Sequence, residues 1–123
     1  MTSGTRLTFK EMCARFGVTP RTLRYYEYIE LLKPEKVARS RFYTAREIGR
    51  MKLIMRGRRF GFSLEEIRQW LEMYETEGTE TQMKVWVEQA DRQLHVLRKQ
   101  QSELGVTIEL LKNLRDEAAD NMN

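Results

Sequence analysis

A mainly α fold is predicted: a winged helix-turn-helix domain with a small β wing, followed by a long coiled-coil helix suited to dimerisation. Three observations predict it. A hydroxyl residue stands three positions ahead of a glutamate at Thr8 and Glu11, Thr44 and Glu47, and Ser63 and Glu66, a spacing that satisfies two orphan backbone donors at a helix start. Gly17 separates two apolar-periodic segments by one tight turn. A seven-residue apolar repeat then occupies the last third of the chain.

Taken in order, Phe9, Met12, Cys13 and Phe16 fall at i, i+3, i+4 and i+7, one stripe of a short first helix. Cys13 therefore reads as a small core residue. After Gly17 the chain restarts at Thr19 as N-cap with Pro20 in the first helical position, and the second helix is expected to run to about Ile29 before Pro34 forbids continuation. Two helices joined by a glycine turn make a helix-turn-helix, whose second helix can enter a DNA major groove. Residues 35–44, "EKVARSRFYT", lose the helical period and end in alternating basic and aromatic positions, which predicts a hairpin or extended wing. A third helix is expected from Ala45 to about Phe60 with Ile48, Met51 and Met55 inward. Ser63 then caps a fourth, which buries Leu64, Ile67, Trp70, Leu71 and Tyr74.

"ETEGTET" reads as a linker, and the organisation follows as a domain over 1–75, a linker over 76–82, a dimerisation helix over 83–118 and a tail over 119–123. Met83, Ala90, Leu97, Leu104 and Leu111 recur every seven residues, with Val87, Leu94 and Ile108 at the companion positions and Gln101 and Arg115 as polar interruptions. A helix of that length cannot bury such a stripe against a small domain, so a homodimeric coiled coil is expected. The seam alone does not choose between parallel and antiparallel pairing.

Charge separates the two halves. The chain carries +4 overall, but Lys36 to Arg59 holds nine basic residues against the single acid Glu47. A basic stretch of that density concentrates a polyanion, and counterion release drives its binding. Arg21, Arg24, Tyr25 and Tyr28 share one side of the second helix, opposite Leu23 and Tyr26. Arginine can pair bidentately with guanine or phosphate, and tyrosine can donate to phosphate, so these four are candidate double-stranded DNA contacts. Arg39, Arg41 and Tyr43 on the wing, with Arg56 and Arg59 on the third helix, are candidate backbone clamps. Tyr26 reads as a core aromatic.

Other classes fit poorly. There is no glycine-rich phosphate loop and no Ser, His and Asp set, and His95 is the lone histidine, so no enzyme is expected. With His95 and Cys13 standing alone, neither a metal nor a cofactor is expected. No apolar run approaches the length needed to cross a bilayer and the N-terminus lacks a signal-peptide pattern, so a cytoplasmic location is expected.

"FKEMCARFGVTPRTLRYYEYIELLKP", "RSRFYTAREIGRMKLI" and "RRFGFSLEEIRQWL" together resemble, in order, the DNA-binding domain of the MerR family of bacterial transcriptional regulators. The likeness covers residues 7 to about 74, and the following helix is similar to that family's antiparallel dimerisation helix. It implies a dimer on a pseudo-palindromic operator that bends and untwists a promoter for RNA polymerase, with Arg21, Arg24 and Tyr25 as recognition-helix contacts, Arg39, Arg41 and Tyr43 as wing contacts and Arg56 in the second clamp. Two departures stand out: Glu30 where the family usually has Gly, and Arg39 and Ser40 where it has Gly-Tyr. Cysteines at the end of the dimerisation helix, which metal and redox sensors of the family carry, are missing here, so no effector is readable. The rival readings are a coiled-coil interaction module with a basic face for an acidic protein or membrane, and an excisionase-like architectural DNA binder.

Overall fold

The structure is a computed structural model that describes residues 6–76 and 79–122. Two compact units divide it, residues 1–77 and residues 78–123. The first opens with strand β1 (Arg6–Thr8), followed by α1 (Phe9–Phe16) and α2 (Pro20–Tyr28). Strands β2 (Glu35–Val37) and β3 (Ser40–Thr44) form the wing, and α3 (Ala45–Phe60) and α4 (Leu64–Thr76) complete the unit. The fold is a winged helix-turn-helix. β3 lies between β1 and β2, antiparallel to both, with Leu7 opposite Tyr43 and Val37 opposite Ser40. β1 was not expected. Three residues are too few to show alternation, and the strand exists only because β3 offers it an edge.

Local chemistry explains the helix ends. Thr8 and Glu11 form the full reciprocal cap of α1, and Gly17 closes that helix with φ +62°. Thr19 accepts from the Thr22 backbone N–H, with Pro20 behind it, to start α2. Ser63 and Glu66 likewise satisfy each other's backbone donors at α4. The third expected box does not form. The Thr44 side chain makes no cap bond, and Glu47 turns inward, 3% exposed, where its carboxylate accepts from the Lys33 backbone N–H at 3.3 Å and from Arg46 at 2.7 Å. Burial explains the switch: a carboxylate at that depth is retained only if paired.

Met12, Leu23, Tyr26, Leu31, Leu32, Tyr43, Ile48, Met51, Ile54, Phe62, Ile67 and Leu71 form the core. Each fully buried aliphatic side chain contributes about 1.5–3 kcal/mol of transfer free energy. Met55 is only half-buried and Ile54 takes the inward place, while Phe9, Cys13 and Phe16 flank Met12 half-exposed. The Tyr74 side chain lies outside the described residues. Arg50 donates to the Leu31 carbonyl at 3.0 Å and to Glu75 at 2.8 Å, and Arg68 donates to the Ile29 carbonyl, so the loop after α2 is tied to α3 and α4.

The second unit is α5 (Thr79–Asn121), 43 residues and about 65 Å long. It starts earlier than Met83 and ends later than Ala118. Of the expected linker, Thr76 belongs to α4, residues 77 and 78 lie outside the described residues, and 79–82 are helical. No Gly or Pro interrupts Thr79 to Gln82, and Glu80 in the first turn offsets the orphan N–H groups. Gly105 sits within the helix, and a Cβ there would meet nothing within 4 Å. Met83, Val87, Leu94, Leu97, Leu104, Ile108 and Leu111 are all exposed along α5, with Ala90 partly covered.

Candidate nucleic-acid interface

α2 presents two faces because its period is helical. Leu23 and Tyr26 are buried, whereas Arg21, Arg24, Tyr25 and Tyr28 are exposed, Tyr28 to 83%. Thr19 and Pro20 set the helix start, and the pinned carbonyls of Ile29 and Leu31 set its end. The helix is thus held by its two ends and one face.

α1, α2 and the wing converge beside that exposed face. The Arg24 and Arg41 guanidinium carbons lie 5.3 Å and 5.5 Å from the centroid of the same Phe9 ring. The quadrupole of the ring attracts both cations, about 0.5–1 kcal/mol each at such an exposed site. Lys10 and Arg39 join them around a shallow concavity of about 400 Å³ whose walls also include Thr8, Ser40 and Phe42. Four cations from three elements therefore surround one opening, with no carboxylate on its lining. Such a seat suits a phosphate oxygen, which accepts charge-assisted hydrogen bonds from several guanidinium and ammonium groups at once.

Glu27 lies behind this surface, on the side of α2 nearest the wing. Arg41 pairs with it at 3.2 Å, and the Tyr43 hydroxyl donates to its other oxygen. Desolvation by burial pushes the Glu27 carboxyl above its ordinary value, opposed by Arg41, Lys36 and Arg24. Burial likewise raises the Cys13 thiol, which keeps it protonated and a poor nucleophile.

Tyr43 is the correction to the expected contacts. It is 0% exposed, packed within the unit with its hydroxyl committed to Glu27, and cannot reach a ligand. Its place in β3 explains this: side chains alternate along a strand, so Arg41 and Tyr43 share the face turned to the domain, where the short arm of Tyr43 remains buried while the longer Arg41 extends to the surface. Arg24, Arg39 and Arg41 are brought together; Arg21, Tyr25 and Tyr28 continue the surface along α2. Arg56 and Arg59 are exposed on α3 and take no part in the concavity. Within the basic stretch, Arg46 and Arg50 are engaged with Glu47 and Glu75 and act as internal ties. Sequence reasoning passed over Lys10, Phe9 and Glu27. The signal for Lys10 is its place in the first turn of α1; nothing local marks Phe9 as a shared platform.

Among the described residues, no group of three or more His, Cys, Asp or Glu side chains could hold a metal ion, and no helix is long and apolar enough to cross a membrane.

Comparison with known proteins agrees with the geometry. The family described as MerR HTH family regulatory protein matches residues 7–74, and the one described as MerR, DNA binding matches residues 48–114. The chain is 41% identical over 66 residues to the HTH-type transcriptional regulator HmrR of Rhizobium leguminosarum, covering 53% of this chain and 51% of that one. An HTH-type transcriptional regulator of Pseudomonas aeruginosa is 33% identical over 113 residues, 89% of this chain and 78% of its own. This chain thus spans about half the length of HmrR and more of the Pseudomonas protein. These relatives are regulators and not enzymes. Among solved structures, a MerR-family transcriptional regulator from Bacillus cereus superposes with a TM-score of 0.71 at 29% identity, over 85% of this chain and 76% of that one. HiNmlR, crystallised bound to promoter DNA, shares the fold with a TM-score of 0.65 at 19% identity, over 85% and 80% of the two chains.

Proposed function

The chain belongs to the MerR family of helix-turn-helix regulatory proteins, and from that premise we propose that it works in the cytoplasm as a homodimer on a pseudo-palindromic operator, regulating transcription by distorting the promoter. The observation that carries this reading is the convergence of Lys10, Arg24, Arg39 and Arg41 beside the exposed Arg21, Tyr25 and Tyr28 of α2. α2 enters a major groove, where Arg21, Arg24, Tyr25 and Tyr28 face base edges and the flanking phosphates. The wing cations hold the backbone on one side, and Arg56 and Arg59 hold it at a second place. In a two-fold dimer the two recognition helices address half-sites separated by about 34 Å or a multiple of it.

Distortion follows from competition between two energies. Clamps that seize phosphates at fixed separations stabilise only a duplex bent and twisted to match them, and the deformation energy of the central base pairs opposes that match. A promoter whose two elements are set apart by an overlong spacer is thereby brought into register for RNA polymerase. Fluorescence-anisotropy titration of the intact protein on its own upstream region, against shuffled DNA at moderate salt, tests the binding. A clear preference for the upstream region is expected, and equal affinity for both would reject the reading in favour of an acidic-protein or membrane partner. Transcription in vitro on the bound promoter then separates a regulator from an architectural binder, which would leave the transcript level unchanged.

A further inference from the structure

We propose that Phe9 is a positioning residue for DNA binding: its ring touches neither base nor phosphate but holds the guanidinium groups of Arg24 and Arg41 together at the place where one backbone phosphate is seated. The inference rests on the DNA-binding reading above and deepens it.

The ring is fixed at its base from two directions. Thr8 and Glu11 close their reciprocal cap on either side of it, with backbone N–H groups donating at 2.9 Å and 3.2 Å. Thr8 is also paired with Phe42 across β1 and β3, so the start of α1 belongs to the same strand ladder that carries Arg41. α1 packs against both α2 and β3, with Met12 fully buried one turn after Phe9. Phe9 itself is only half-buried, which leaves part of its ring to the cations beside it.

An exposed arginine samples many rotamers, and ordering it on a ligand lowers affinity. Arg24 forms no ion pair among the described residues, and its restraint is the ring, 5.3 Å from its guanidinium carbon. Arg41 has two restraints, the same ring at 5.5 Å and the Glu27 carboxylate at 3.2 Å. Both groups are thus ordered before DNA arrives, beside Lys10 and Arg39 on a concavity whose lining holds no carboxylate. The repulsion between the two guanidinium groups is offset by the quadrupole of the ring they share. Because the restraints are unequal, Arg24 depends on Phe9 more than Arg41 does.

The test is fluorescence-anisotropy titration of the full chain on its own upstream region, run beside thermal unfolding, at a salt concentration low enough for weak variants to bind. Phe9→Leu keeps an apolar side chain near Met12 and removes the ring; it should weaken binding roughly tenfold, since both protomers must then order their arginines on the duplex. Phe9→Tyr, which keeps a ring, should recover most of that loss. In an Arg24→Ala, Arg41→Ala chain the Phe9→Leu change should alter affinity by less than about twofold, and of the two single arginine backgrounds Arg24→Ala should absorb more of the effect. Pentafluorophenylalanine at position 9 keeps the shape and reverses the quadrupole; it should bind as weakly as Phe9→Leu while unfolding near the midpoint of the starting protein. Unchanged affinity in either ring variant overturns the positioning role. So does a loss that persists undiminished without the two arginines, which would make Phe9 a direct DNA contact or a packing residue. In those cases the starting protein still prefers its upstream region and the DNA-binding reading stands; a starting protein with no such preference overturns both.

Discussion

Tyr43 and Glu27 show how a residue type that suits contact can serve assembly instead. A tyrosine two positions from a wing arginine looks like a phosphate donor, yet burial at 0% exposure and a hydroxyl bonded to Glu27 place it inside. Tyr43→Phe should therefore cost about 1–2 kcal/mol of stability, the loss of a donor to a mostly buried carboxylate, and leave the salt slope of DNA binding unchanged. Urea unfolding and a salt titration measure the two effects. Glu27 itself gives a pH signature. Its folded value lies above the ordinary 4.5, so the folded chain holds this proton more tightly than the unfolded one. The stability it contributes is fully present below the unfolded value and is lost as pH rises through the raised folded value. Glu27→Gln, which keeps an acceptor for Tyr43, should lack this fall, so the difference between the two unfolding midpoints should shift steadily in favour of the variant as pH rises above 4.5.

Helix boundaries were the most legible elements, because caps are local chemistry. Thr8 with Glu11, Thr19 with Pro20, and Ser63 with Glu66 act as their spacing predicts. Thr44 with Glu47 has the same spacing and fails, because a buried position that needs an acid for Lys33 and Arg46 outcompetes the cap. That competition is tertiary and has no local signature. The turn after α2 carries a second example. Glu30 adopts φ +62°, a left-handed conformation that costs a non-glycine residue about 1–2 kcal/mol. Glu30→Gly should raise stability by about 0.5–1 kcal/mol after the entropy of a more flexible unfolded chain is subtracted, readable as a higher unfolding midpoint. Where α3 crosses α4 the opposite holds. A Cβ at Gly57 would sit 2.8 Å and 2.9 Å from the Ile67 side chain, so Gly57→Ala should destabilise by about 1–2 kcal/mol despite the better helix propensity of alanine. Thermal unfolding of that variant checks it.

Across the whole molecule, the separation of a basic first unit from a net-acidic helix was visible in the charge distribution. What could not be read was which cations are free. Arg46, Arg50 and Arg68 look equivalent to Arg56 and Arg59 in the sequence, but the first three bind carboxylates or carbonyls of their own domain. Long-range pairing of this kind depends on which loop returns to which helix. Two classes of DNA contact follow. Arg24→Ala should weaken operator binding by about 1–3 kcal/mol and relax discrimination, while Arg56→Ala should weaken all sequences alike and reduce the salt slope by about 2 for a dimer, one phosphate per protomer. Equal loss of discrimination from both would refute that division. Finally, the carboxylate of Glu27 is shared between α2 and the wing through Arg41 and Tyr43. An engineer who wished to retarget this protein by grafting the α2 face of a relative would leave that carboxylate facing foreign neighbours; the transplantable cassette is α2 together with residues 35–44, exchanged as one piece.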